Sequence, residues 1–213
     1  MQEIDWKTLS EMPGSRKLNP KKYQILDSSL QLIHEKGVQG LSVTALSKST
    51  GLSKSLILYH YENNDLILED LFFFSGKMAR MWIERSLQGK STFEERIGGM
   101  TEGIFKWVLS NKEVGEFFAL MFHEATKTEA MQNVYMGIYQ TAIELWERIF
   151  LESMRYNDLM IIKNQVRAIH SLIQGSLIHM VASKDEANAK TYANLIKFNL
   201  EKILDVELTE FDV

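Results

Sequence analysis

Ser42-Val-Thr-Ala-Leu-Ser-Lys-Ser-Thr-Gly-Leu-Ser-Lys-Ser-Leu-Ile-Leu-Tyr-His-Tyr61 is the stretch that decides the fold. Ser42 is placed to cap a short helix from Val43 to Thr50, Gly51 breaks it, and Ser53 caps a second from Lys54 to about His60. Gly51-Leu52-Ser53 leaves the short turn of a helix-turn-helix. Gly51 supplies the backbone freedom the turn needs, and Leu52 plugs it onto the first helix. Val43 and Leu46 are expected to face Ile57, with Leu26, Leu30 and Ile33 closing a three-helix core.

Working outward, Asn19-Pro20 reads as a helix start and Gly37 as its stop. Residues 1–18 read as a loose leader broken at Pro13 to Ser15. Asn63 caps a long helix to about Leu87, with Asp65 in its first turn. Thr92, Asn111, Thr128 and Asp158 each stand where a helix begins, with ends near Ser110, His123, Arg155 and Ala182. Ser183 to Asp185 reads as a turn, and a last helix runs to about Asp205. No proline follows Pro20, and no stretch sustains a two-residue alternation of β-branched residues. The expected fold is therefore all-α: a flexible leader (1–18), a three-helix helix-turn-helix domain (19–65), and a helical ligand-binding and dimerisation domain (66–213).

The net charge of -4 conceals an asymmetry. Residues 14–60 carry seven basic against two acidic side chains, and residues 61–213 carry 16 basic against 23 acidic. A basic head on an acidic body suits contact with a polyanion. The chain has no cysteine, which excludes disulfides and thiolate metal sites and fits a cytoplasmic protein. It has no apolar run long enough for a membrane span, and its acidic N-terminus does not read as a signal peptide.

A helix-turn-helix projects the start of its second helix into a DNA major groove. Lys54 and Ser55 are then the candidates for base edges. Ser42, Thr44, Lys48, Ser53, Tyr59 and His60 are the candidates for phosphates. The competing reading is a plain helical hairpin with a solvated basic face.

Residues of about 20–68 resemble the DNA-binding domain of the tetracycline-repressor (TetR) family. The resemblance is carried by Ser42-Val43, Leu46 to Thr50, Gly51-Leu52-Ser53 and Tyr59-His60-Tyr61, with Gly37 and Leu41 before them. It implies a nine-helix subunit, homodimerisation through the last two helices, a palindromic double-stranded operator, and release of DNA when ligand binds. Three positions depart from the family pattern: Ser55 replaces a small glycine, Leu56 a hydroxyl residue, and Asn64 a phosphate-gripping lysine. Part of the grip is then expected to pass to Arg16, Lys17, Lys21 and Lys22.

The body is rich in aromatic side chains and methionine, which line adaptable apolar cavities but also fill ordinary cores. Phe72, Met78, Trp82, Trp107 and Met121 are the candidate apolar contacts for an apolar or amphipathic effector. His123, Tyr139, His170 and Gln174 are the candidates for its polar end. The five histidines are scattered, so no metal site and no cofactor are expected. The last two helices carry apolar faces, Leu159, Ile162, Val166, Ile169, Ile173, Leu177 and Val181 on one and Tyr192, Leu195, Ile196, Leu200, Ile203 and Leu204 on the other. These suit a four-helix dimer interface or packing within one subunit. No phosphate loop, metalloprotease motif or nucleophile elbow is present, so a non-enzymatic, ligand-responsive regulator is expected. The alternatives are an all-α small-molecule carrier or enzyme that does not bind DNA, and a regulator whose changes at Leu56 and Asn64 have cost it DNA binding.

Overall fold

The computed structural model describes residues 4–110 and 112–213 and contains, among them, ten α-helices and no strand. The chain forms two compact units, residues 1–78 with 111–135 and residues 79–110 with 136–213. The first unit thus holds more than the helix-turn-helix.

That unit begins with a departure from expectation. The leader contains a helix, α1 (Trp6–Glu11), capped by Asp5, whose side chain accepts from the Thr8 amide at 2.9 Å. Trp6 and Leu9, three apart and so on one face, are buried, and Trp6 meets Phe74 edge-on at 6.0 Å. Apolar burial holds the segment down where composition alone suggested a loose arm.

The helices that follow start where their capping residues lie. Asn19 accepts from the Lys21 and Lys22 amides to open α2 (Pro20–Lys36). Ser42 accepts from the Ala45 amide to open α3 (Val43–Thr50), and Ser53 from the Leu56 amide to open α4 (Lys54–His60). Asn63 accepts from the Leu66 amide at the head of α5 (Asn64–Ser86). Each cap answers a backbone donor that the first helical turn leaves without a partner. Between α3 and α4, Gly51 adopts the left-handed conformation at φ 72°. Ser47 Oγ donates to the Leu52 carbonyl at 2.7 Å, and Thr50 Oγ1 accepts from the Leu52 amide at 3.2 Å, so the turn is fixed from both sides. Leu26, Leu46 and Ile57 are fully buried as the core of this module, with Leu30 and Ile33 beside them, while Val43 is only half-buried. Two later stretches complete the unit: α7 (Lys112–Glu124), whose Phe117 lies 4.7 Å from Phe72 of α5, and the start of α8 (Glu129–Glu152). The expected cap at Asn111 lies outside the described residues.

In the second unit α6 (Phe93–Ser110) opens with a reciprocal cap: Thr92 Oγ1 accepts from the Glu95 amide, and the Glu95 carboxylate accepts from the Thr92 amide. Gly99 and Gly103 of α6 face the end of α5. A Cβ at Gly103 would stand 2.5 Å from the Ile83 Cα, so two backbones touch there. The long helices α9 (Leu159–Ala182) and α10 (Ala189–Leu204) pack on each other. Ile162, Val166, Ile169, Ile173, Leu177 and Val181 of α9, and Ile196, Leu200 and Leu204 of α10, are buried inside the subunit. Most of the apolar face expected at a dimer interface is therefore used internally, because each helix has to cover its apolar stripe before a partner arrives. Leu159, Met160, Ile161, Leu195 and Phe198 stay exposed. The C-terminal tail returns to α6, with Leu208 and Phe211 buried and the Asp212 amide donating to the Glu102 carboxylate at 3.2 Å.

Candidate functional site

Ser42, Thr44, Lys48, Ser53, Lys54, Ser55 and Tyr59 are all exposed, and His60 is half-buried. Tyr59 is 81% exposed and meets the His60 ring edge-on at 5.2 Å. Ser55 Oγ shares a hydrogen bond with Ser53 Oγ at 3.0 Å. The inner side of α4 is fixed by Ile57, fully buried, and by Tyr61 at the C-cap. A seven-residue helix anchored on one side presents the other as a small rigid surface. That surface also carries Leu58, 43% exposed, which the sequence reading passed over.

One of the three departures, Asn64, acquires a structural role. Asn64 Nδ2 donates to the Leu41 carbonyl at 2.7 Å, tying the head of α5 to the loop before α3. Arg16 and Lys22 do not stand free as a reserve of phosphate contacts. Arg16 Nη1 lies 2.5 Å and Lys22 Nζ 3.6 Å from the carboxylate of Asp70, which is buried in α5. The same carboxylate accepts from the Tyr61 hydroxyl at 2.8 Å. Burial, and then the Asp70 charge, push the Tyr61 hydroxyl far above the ordinary phenol range, so it stays a donor. Lys22 also lies over the Tyr61 ring at 4.4 Å, and Arg16 over Phe73 at 4.8 Å. Of the four basic residues expected to strengthen the grip, Lys17 and Lys21 are the exposed pair without this engagement with Asp70.

The effector candidates divide between the units. In the first, Phe72, Met78 and Met121 are buried, whereas His123 is exposed. In the second, Trp107 and His170 are buried, and Trp82, Tyr139 and Gln174 are half-buried. Three of these meet: Tyr139 stands edge-on to His170 with centroids 5.1 Å apart, and Gln174 Nε2 lies 3.4 Å from His170 Nε2. Gln174 Oε1 is buried with no hydrogen-bond partner among the described residues. Burial lowers the His170 pKa from 6.5 to about 4, so the ring is neutral at neutral pH.

That neutrality predicts acid sensitivity. The unfolded imidazole takes up a proton below about pH 6.5, while the folded one refuses it until about pH 4. Stability is therefore lost as pH falls through this window, by about 2 kcal/mol between pH 7 and pH 5. Denaturant unfolding of wild type and His170→Gln at the two pH values checks this. The wild type is expected to show the larger drop, and equal drops would refute it.

A cleft of about 610 Å³ opens elsewhere, between α1 and the start of α2, lined by Lys7, Ser10, Lys17 and Tyr23 among others, and none of the effector candidates lines it. The described residues hold no cluster of three or more histidine or carboxylate groups suited to a metal ion, and no helix long and apolar enough to cross a membrane.

A helix-turn-helix whose second helix is exposed is the arrangement of a DNA-binding domain. Residues 25–71 match the model of the bacterial regulatory proteins of the tetR family. Residues 25–71 thus carry a DNA-binding domain of the tetR type, and the chain shares the fold of solved TetR-family regulators. It is similar to a TetR transcriptional regulator from Legionella pneumophila, at 19% identity and TM-score 0.66, covering 87% of this chain and 97% of that one. The transcriptional regulator FadR from Bacillus subtilis, solved with stearoyl-CoA, is 17% identical at TM-score 0.66, covering 81% of this chain and 96% of its own. A protein from Saccharomonospora viridis solved with choline is 15% identical at TM-score 0.71, covering 85% and 95%. At such identities the similarity speaks for the fold. No curated protein sequence matches the chain.

Proposed function

We propose that this chain is a homodimeric, ligand-responsive repressor that leaves a palindromic operator when an apolar or amphipathic small molecule binds its body. The exposed face of α4, with Lys54, Ser55 and Tyr59 outward over a buried Ile57, carries this reading. Lys54 and Ser55 approach base edges, while Ser42, Thr44, Lys48, Ser53, Tyr59 and His60 hold phosphates. The exposed Leu159, Met160, Ile161, Leu195 and Phe198 supply the apolar part of the dimer contact.

The route from effector to DNA runs along α5. Tyr61 closes α4 and is bonded to Asp70 one and a half turns into α5, so the reading helix follows the head of α5. An effector that favours one position of α5 changes the spacing of the two reading heads, by no more than its differential affinity for the two states. The stearoyl-CoA seen in one protein of this fold joins a long apolar chain to a charged head, which supports an amphipathic effector. His170, Tyr139 and Gln174 meet its polar end, and a neutral His170 offers a hydrogen bond there.

Gel-shift titration against a duplex recovered from a random pool tests the proposal. Lys54→Ala with Tyr59→Ala is expected to weaken specific binding on the order of 100-fold, while the melting temperature and dimer mass stay unchanged. The wild-type affinity is expected to fall steeply and linearly on a log–log plot against salt. Binding indifferent to both changes would overturn the reading.

A further inference from the structure

The outward face of α4 holds one side chain that the contacts proposed above leave out. Ser55, Leu58 and Tyr59, at helical spacing i, i+3 and i+4, are all exposed, and Lys54 lies one turn before Leu58. A single exposed leucine is unremarkable on a protein surface. Leu58 differs in its setting: it is exposed beside Tyr59 and one turn after the exposed Lys54, on the short helix whose Ile57 is buried and which a helix-turn-helix lays in the groove. We propose that Leu58 is a specificity-determining residue that reads the C5-methyl group of a thymine. The inference rests on the DNA-binding reading and names one feature of the operator.

The chemistry of the groove selects this occupant. Base edges in the major groove present hydrogen-bond donors and acceptors and one apolar group, the thymine methyl. Leucine neither donates nor accepts. Against any other edge it displaces water from a polar atom and gives nothing back, so the mismatch is penalised. Against the methyl, two apolar surfaces leave water together. The rigid placement of α4 gives the contact a fixed register: Ser53 caps the helix and Ile57 and Tyr61 anchor it, so Leu58 cannot slide to a neighbouring base pair without lifting the whole face.

The test uses the full chain and a duplex recovered by it from a random pool. The duplex is remade with each dT in turn replaced by deoxyuridine, which deletes only the methyl. At one dT in each half-site the replacement is expected to weaken wild-type binding about four-fold, the value for one methyl leaving an apolar contact. Leu58→Ala, and separately Leu58→Gln, are expected to bind the two duplexes equally. A flat scan with the wild type overturns the inference, and so does a methyl dependence that survives in both variants. Those outcomes leave DNA binding itself intact. Failure to recover any duplex sinks the DNA-binding reading, and Leu58 with it.

Discussion

Replacing Asp70 by alanine is expected to cost about 3 kcal/mol of stability, within the range for breaking a buried charge pair. The carboxylate is 5% exposed and serves three partners, Tyr61, Arg16 and Lys22. Its loss leaves the Tyr61 hydroxyl, on a residue 2% exposed, without an acceptor. Arg16 is 44% exposed at its side chain and can return to water, which keeps the cost at the low end. Two milder variants rank the contributions. Asp70→Asn keeps an acceptor for Tyr61 but drops the charge. Tyr61→Phe removes one hydrogen bond, about 1 kcal/mol, and leaves both cations paired. Urea unfolding is expected to give the order Ala, then Asn, then Phe, from largest loss to smallest. Equal losses for Asp70→Ala and Tyr61→Phe would show that the cations contribute nothing.

Gly103→Ala is expected to destabilise the chain by about 3 kcal/mol, the upper end of overpacking costs. The added methyl would meet the Ile83 Cα at 2.5 Å, its amide nitrogen at 2.9 Å and the Trp82 carbonyl oxygen at 3.1 Å. All three are backbone atoms, so no side-chain rotation makes room, and α5 and α6 have to separate. Gly98 in the same helix is the control. A Cβ there finds its nearest neighbour, an edge atom of the Phe211 ring, at 3.6 Å, an ordinary contact. Gly98→Ala therefore keeps the packing and gains up to about 1 kcal/mol of helix propensity. Thermal unfolding of the two variants is expected to move the midpoint in opposite directions. A neutral Gly103→Ala would mean that the helices are less closely seated than described.

How far the sequence could be read follows from the range of each interaction. Asn19, Ser42, Ser53, Asn63 and Asp158 cap helices through contacts two or three residues away, so their roles are written locally. Gly51 announces its turn by the same logic. Asp70 does not. Its partner Arg16 lies 54 residues back, and in the sequence Asp70 reads as one acidic residue of an amphipathic helix. Helix α1 escaped because six residues with two apolar positions give no sustained period. Leu58 stands in a Leu-Ile-Leu run within a seven-residue helix, too short for pattern alone to tell inward from outward. The apolar stripes of α9 and α10 were legible as stripes, but whether a stripe meets its own subunit or another one is a tertiary fact.

The first unit is discontinuous along the chain: it is left after residue 78, regained at 111 and left again at 135. Phe117, which covers Phe72, belongs to the returning stretch. A chimeric regulator that borrows only the leading 78 residues would bring the reading helix without its lid and lay bare an aromatic floor. On the proposed reading of α4, exchange of DNA specificity between proteins of this build calls for grafting the surface of α4, residue by residue, rather than splicing genes at a linker.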